Sequence, residues 1–183
     1  MAEGQVVKVR RANLEDVPRI AEINRLTWQR AYAGIVPAGY LDQLDPTVLQ
    51  ERWTERVTQE TPGVHALVAE LDGVLAGYIA VGPYRTQEDA EPGEDTAGWG
   101  EVFALYTDPD LQGRGAGTAI HDAALELLRA QRCHRAALWV LTANHAGRQW
   151  YAARGWRPDG ATSEWSDASE PLEEVRLVRQ LDT

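Results

Sequence analysis

Apolar and basic residues alternate from Val6 to Arg10, the period of two that a half-buried edge strand requires. Asn13, followed three residues later by Asp16, resembles a capping box, so a helix is expected to open there. Val17, Ile20, Ala21, Thr27, Trp28 and Ala31 then fall near one helical face. Asp45 before Pro46 is a cap with proline at the first helical position, and Leu49, Trp53 and Val57 form the apolar stripe of a second helix. Two β-rich runs, Ala66 to Leu71 and Val74 to Val81, flank Asp72-Gly73, a dipeptide suited to a two-residue hairpin because both of its residues must take positive φ. Pro83 closes the second run.

Between Tyr84 and Gly100 the chain carries Glu88, Asp89, Glu91, Glu94 and Asp95 among Pro92, Gly93 and Gly98, a composition that predicts a long surface loop. Val102 to Thr107 is a short apolar strand, and a helix is expected from about Thr118 to Gln131 with Ile120, Ala124, Leu127 and Leu128 on its buried face. Ala136 to Leu141 reads as a buried strand and Asn144 to Arg154 as a short helix stopped by Gly155. Trp156 to Leu181 suits two closing strands around a polar turn, with Val175 and Leu177 facing one way. Strands and helices alternate without repeat or linker, which predicts the α/β class: a mixed central sheet with helices on both faces. The 183 residues suit one domain over 1–183.

Composition narrows the function. Apolar residues make up 44% and charged residues 25%, the balance of a folding chain rather than a disordered one. A formal net charge of -10 argues against nucleic acid as a partner, since phosphate neutralisation needs a basic face, and mildly favours a cationic acceptor. Cys133 is the only cysteine, so neither an internal disulfide nor a thiolate metal cluster is expected. His65, His121, His134 and His145 lack metal-ligand spacing and are expected at the surface or in packing roles, with no metal bound. The polar first ten residues and the lack of any apolar run of spanning length predict a cytoplasmic protein with no membrane partner.

The stretch with most chemical content is Gln112-Gly113-Arg114-Gly115-Ala116-Gly117-Thr118, set between a strand and a helix. Glycines allow positive φ, which turns successive amide N–H groups toward one point, and the helix beginning there adds about half a positive charge at its N-terminus. Together these make a nest for a diphosphate. A P-loop would need Lys-Ser or Lys-Thr after its last glycine, whereas Gly117 is followed by Thr118-Ala119. The three glycines also miss the offsets of a dinucleotide fingerprint.

Gln112, Gly115 and Gly117 match the Gln/Arg-x-x-Gly-x-Gly/Ala signature of the GNAT superfamily of N-acetyltransferases, and the resemblance extends both ways. Gly100 to Pro109 resembles the family's fourth strand and the entry to its pyrophosphate loop. Leu138-Trp139-Val140-Leu141 with Asn144, then Trp150-Tyr151 and Gly155-Trp156, resembles its fifth strand, asparagine and following helix end. The core match covers about residues 100–158. The resemblance implies a GNAT fold of about seven strands, with acetyl-CoA as cosubstrate lying between two strands that splay apart. Leu105, Tyr106 and Thr107 would hold the pantetheine arm, Gln112, Gly113, Arg114, Gly115, Ala116, Gly117 and Thr118 the pyrophosphate, and Asn144 the arm near the thiol.

Acetyl transfer to an amine needs a neutral nucleophile, a donor for the developing oxyanion and a proton for the departing thiolate. By resemblance Tyr151 is the general acid, and a phenol is protonated at neutral pH. Glu101 is the candidate base, read as sharing a strand face with Phe103 and Leu105. The segment Leu141-Thr142-Ala143-Asn144 lacks the glutamate that similar sequences carry in Leu-Glu-x-Asn. Trp28, Tyr32 and Phe103 are candidate walls of the acceptor pocket, the acceptor being a small-molecule or peptide amine. A homodimer is compatible with the sequence but not required by it. Two other readings share the glycine turn: a non-catalytic acetyl-CoA-binding regulatory module, and a protein recognising ADP-like ligands without a pantetheine arm.

Overall fold

The computed structural model describes residues 6–59, 61–85, 95–166 and 170–181. Seven strands form one sheet: β1 (Val7–Arg11), β2 (His65–Leu71), β3 (Val74–Pro83), β4 (Trp99–Thr107), β5 (Arg135–Leu141), β6 (Arg157–Trp165) and β7 (Leu172–Gln180), in the order β1-β2-β3-β4-β5-β7-β6. Every neighbouring pair is antiparallel except β4 with β5. The helices are α1 (Val17–Ala31), α2 (Ala38–Asp42), α3 (Pro46–Thr58), α4 (Ala116–Ala130) and α5 (His145–Ala152).

Local chemistry sets the boundaries. Asn13 and Asp16 form both halves of a capping box, with a 3-10 turn over Leu14–Asp16 before α1 begins. Arg10 grips Asp16 through two 2.7 Å hydrogen bonds and reaches Glu70 on β2, tying the cap to the sheet. Asp45 caps α3 by accepting from the Thr47 N–H at 2.7 Å. Asp72 and Gly73 take φ of 51 and 84, as the hairpin requires.

Helices cover both faces, as the sequence predicts. On one, α4 lays Ile120, Ala124, Leu125 and Leu128 against Leu67, Ile79, Val102, Leu138 and Leu177. On the other, Val17, Ile20 and Ile23 of α1 and Trp53 of α3 meet Val68, Tyr78 and Ala80. A smaller cluster joins Tyr32, Val36, Leu41 and Leu141, with Trp28, Tyr40 and Trp165 around them. Full burial of an aliphatic side chain contributes about 1.5–3 kcal/mol, so these clusters carry the fold.

Several expectations shift. The α4 helix starts at Ala116 rather than Thr118, and its buried face includes Leu125 and His121, while Leu127 stays half-exposed. Ile23 is buried in α1, and Ala31, expected on its inner face, is exposed. β4 begins at Trp99, inside the expected loop, because Trp99, Gly100 and Glu101 pair with Arg135, Ala136 and Ala137. The rest of that acidic loop, over 86–94, lies outside the described residues, as does the turn over 167–169.

Candidate active site

The parallel pairing of β4 with β5 stops after those three residue pairs. From Val102 and Leu138 onward the strands part, although β4 remains paired with β3 to Thr107 and β5 with β7 to Leu141. The inner edges of both strands therefore face a cleft of about 890 Å³. Val102 to Thr107 line one side and Leu138, Trp139 and Val140 the other. The glycine turn and α5 form its mouth, and Thr27, Arg30, Ala31 and Tyr32 close the side toward α1.

At the mouth, Gly113 and Gly115 take φ of 76 and 91, and α4 starts directly after. Its first intrahelical bond runs from the Ala119 N–H to the Gly115 carbonyl at 3.0 Å. The N–H groups of Ala116, Gly117 and Thr118 come before it and have no carbonyl a turn back, which is the donor set of an anion nest. The turn is anchored from behind: Asp108 pairs with Arg19 of α1 and receives the Asp110 N–H at 2.8 Å, while its own N–H donates to the Ala76 carbonyl at 2.8 Å. Gly117 is needed for close approach, since a Cβ there would stand 3.2 Å from Thr107 Cγ2.

In β4 the register shifts so that Ala80 faces Ala104 and Val81 faces Val102, leaving Phe103 as the extra residue of a bulge. The bulge corrects one expectation. Glu101, Phe103 and Ala104 lie on the α1 and α3 side, with Phe103 and Ala104 against that cluster, whereas Leu105 turns to the α4 side. Glu101 is 1% exposed and does not line the cleft. Its carboxylate accepts the Arg85 backbone N–H at 2.9 Å and the Arg85 guanidinium at 2.7 Å. Arg85 in turn lies over Phe103, 4.2 Å from the ring centroid.

On the opposite wall, Asn144 caps α5 by accepting the Gly147 N–H at 2.9 Å through Oδ1. The Asn144 side chain also hydrogen-bonds Tyr32 in the cleft wall, and Gly147 has no Cβ because one would stand 2.7 Å from the Asn144 amide nitrogen. Tyr151 reaches the cleft from α5, packed edge-on against Trp150 and Trp156 at centroid distances of 5.1 and 5.7 Å. Burial pushes its phenol well above the ordinary tyrosine value, with a smaller contribution from Tyr32. No side chain or backbone group among the described residues hydrogen-bonds its hydroxyl. Tyr32 is pushed upward by burial too, opposed by hydrogen bonds with Tyr106 and Asn144. Behind Tyr151, the buried His121 accepts the Trp156 indole N–H at 3.0 Å through Nε2, leaving Nδ1 to donate to Asp122 at 2.8 Å.

Phe103, Leu105, Tyr106, Thr107, Gln112, Gly113, Gly115 to Thr118, Asn144, Tyr151 and Tyr32 thus come together around one cleft. Glu101, Arg114 and Trp28 do not line it: Arg114 points toward Asp72, and Trp28 stacks among Tyr32, Tyr40 and Trp165. Sequence reasoning missed Trp139, whose indole nitrogen is buried without a partner, and Trp150 and Arg154 at the mouth. The spacing of Arg154 from Tyr151 was a readable signal, since residues three apart share a helical face. No carboxylate or imidazole lines the cleft among the described residues.

A sheet parted over an anion nest offers open strand edges to an extended ligand with a phosphate-bearing end. The comparisons give the family. Residues 19–156 match the model of the acetyltransferase (GNAT) family. A protein of Bacillus subtilis (strain 168) named uncharacterized N-acetyltransferase YuaI is 30% identical over 139 residues, which are 76% of this chain and 74% of that protein. Among solved structures, the PaiA N-acetyltransferase of Thermoplasma acidophilum in complex with coenzyme A superposes with a TM-score of 0.74 at 18% identity, covering 96% of this chain and 99% of that one. YncA of Salmonella typhimurium, a putative acetyltransferase with its cofactor acetyl-CoA, gives 0.68 at 20% identity over 96% and 94%. The chain belongs to the acetyltransferase (GNAT) family and is an acetyl-CoA-dependent N-acetyltransferase. No helix among the described residues is long and apolar enough to cross a membrane.

Proposed function

We propose that the protein acetylates the amine of a small molecule or peptide, with Tyr151 giving a proton to the departing thiolate. The observation that carries this reading is the Tyr151 hydroxyl, without a hydrogen-bond partner among the described residues and set in the cleft between the parted strands. Acetyl-CoA supplies the acetyl group as a thioester, which forms a C–N bond with the amine and loses its C–S bond. The inner edge of β4 at Leu105, Tyr106 and Thr107 offers backbone donors and acceptors to the pantetheine arm, and a β4 N–H serves the developing oxyanion. The nest from Gln112 to Thr118 holds the diphosphate through backbone N–H groups, so the Arg114 side chain is not needed for it. The Asn144 amide nitrogen donates to the arm near the thiol.

Glu101 is bound to Arg85, and no carboxylate or imidazole among the described residues lines the cleft to serve as base. An alkylamine is only about one part in a thousand neutral near neutral pH, so the rate at low acceptor concentration should rise about tenfold per pH unit toward the amine's own pKa. Tyr32 and Phe103 border the acceptor side. A cytoplasmic setting agrees with the free, buried Cys133 thiol.

The test is release of free CoA thiol from acetyl-CoA across a panel of small amines and N-terminal peptides. Release that depends on one acceptor class supports the reading and names the class. Silence across the panel from protein that binds acetyl-CoA would remove transfer chemistry from it.

A further inference from the structure

Arg154 follows α5, and three contacts fix its guanidinium on the wall of the cleft. Nη2 donates to Thr118 Oγ1 at 2.7 Å, Nη1 donates to the Trp150 carbonyl at 3.1 Å, and Cζ lies 3.6 Å from the Trp150 ring centroid. The indole in turn abuts α4, its Cζ2 being 3.7 Å from where a Cβ on Gly117 would stand. Guanidinium, indole and the first turn of α4 form one block at the nest. The backbone beneath is held separately, by a 2.6 Å bond from Arg179 Nη1 to the Arg154 carbonyl and by Gly155 at φ 84.

Among the described residues the charge of Arg154 has no counter-ion. A guanidinium carries five N–H donors, and only two of these are engaged here; Nε is buried without a partner. No carboxylate among the described residues pairs with it, whereas Arg30, the other arginine at the cleft, is paired with Asp110 at 2.6 Å. Its position is also of the wrong sign, because a helix N-terminus is a partial positive charge that attracts anions and repels guanidinium. A cation set against the first turn of α4 becomes favourable when an anion lies within reach of both. The backbone nest and the fixed guanidinium then bind the same charge from two directions.

We propose that Arg154, stacked on Trp150, is a phosphate-binding residue of the cofactor site that comes from the turn after α5 rather than from the glycine turn. This rests on the reading of the cleft as the acetyl-CoA site. The ligand group is a phosphate of CoA, with two sources, the diphosphate and the 3′-phosphate of the ribose.

The experiment measures binding of CoA, dephospho-CoA and pantetheine to the intact protein and to Arg154→Ala and Arg154→Lys by calorimetry, at low and high salt. Arg154→Ala should weaken CoA roughly tenfold, the scale of one charge-assisted hydrogen-bonded contact at a half-exposed site, and the loss should shrink as salt screens it. Arg154→Lys should recover part of the affinity. Pantetheine, which has no phosphate, should bind alike to all three proteins, a result that a merely structural role for Arg154 would not give. A loss seen with CoA but not dephospho-CoA assigns the 3′-phosphate; a loss seen with both assigns the diphosphate. Unchanged CoA binding in Arg154→Ala, or an equal loss for pantetheine, overturns the proposal and leaves the cofactor site standing. Failure of the unaltered protein to bind CoA overturns both.

Discussion

Replacing Tyr151 with phenylalanine removes one oxygen from the cleft and little else. The ring keeps its edge-on contacts with Trp150 and Trp156. Because the hydroxyl has no partner among the described residues, no buried donor or acceptor there is stranded, and stability should change by less than about 0.5 kcal/mol. Acetyl-CoA affinity should likewise hold, since the phosphate and arm contacts proposed above lie on the α4 turn, β4, Asn144 and Arg154. What is lost is the proton for the thiolate. General acid catalysis typically contributes 10²–10⁴-fold, and a floor of tenfold in turnover corresponds to about 1.4 kcal/mol of barrier. The raised phenol value keeps Tyr151 protonated through the range in which amines become neutral, so no alkaline decline from this group should appear below about pH 10. Thiol release at saturating acetyl-CoA, with calorimetry for affinity and thermal melting for the fold, separates these effects. Turnover in Tyr151→Phe equal to that of the unaltered protein would refute the assignment, and so would a loss confined to KM.

Three other outcomes follow from the same contacts. Burial holds His121 below the ordinary imidazole value of 6.5, against the pull of Asp122. The unfolded chain therefore takes up this proton first, and the stability it represents is complete above about pH 6.5 and falls as pH drops toward the lower folded value; urea midpoints from about pH 7.5 to 5 should show the decline, and His121→Gln should flatten it. Gly115→Ala meets no atom closer than Val7 Cγ2 at 3.7 Å, so its effect isolates the strain of φ 91, about 1–2 kcal/mol, and it should weaken CoA while leaving pantetheine unaffected; equal CoA affinity would remove this turn from the phosphate site. Glu101→Gln strands the Arg85 interaction and should cost about 1–2 kcal/mol in chemical unfolding, moderated because the Arg85 side chain is 58% exposed. Its pH-rate profile should keep the acidic limb of the unaltered protein, and a shifted limb would restore Glu101 as a base.

The glycine turn and the hairpin were legible because their chemistry is local. Asp72-Gly73 and Gly113 with Gly115 sit at positive φ, a requirement written in single residues. Asn144 and Tyr151 were placed by resemblance, and both reach the cleft. The bulge at Phe103 was not legible, as nothing in Glu101-Val102-Phe103-Ala104 departs from an ordinary strand; the shift exists only in the pairing with Val81 and Ala80. That single extra residue separated Leu105 from Glu101 and undid an argument from alternation. The α2 helix was missed for a related reason. Its five residues are too few for a periodic signal, and Leu41 is buried in a cluster that includes Leu141, far away in sequence.

The sheet is continuous in its strand order, yet only three residue pairs join β1 through β4 to β5, β7 and β6. It is mechanically two leaves sewn along a short seam. A ligand that pairs with both open edges lengthens the seam, and product release must undo it. Amide hydrogen exchange at Leu105 and Trp139, whose N–H groups face the gap, would then register occupancy directly, while the amides already paired to β3 and β7 would stay silent.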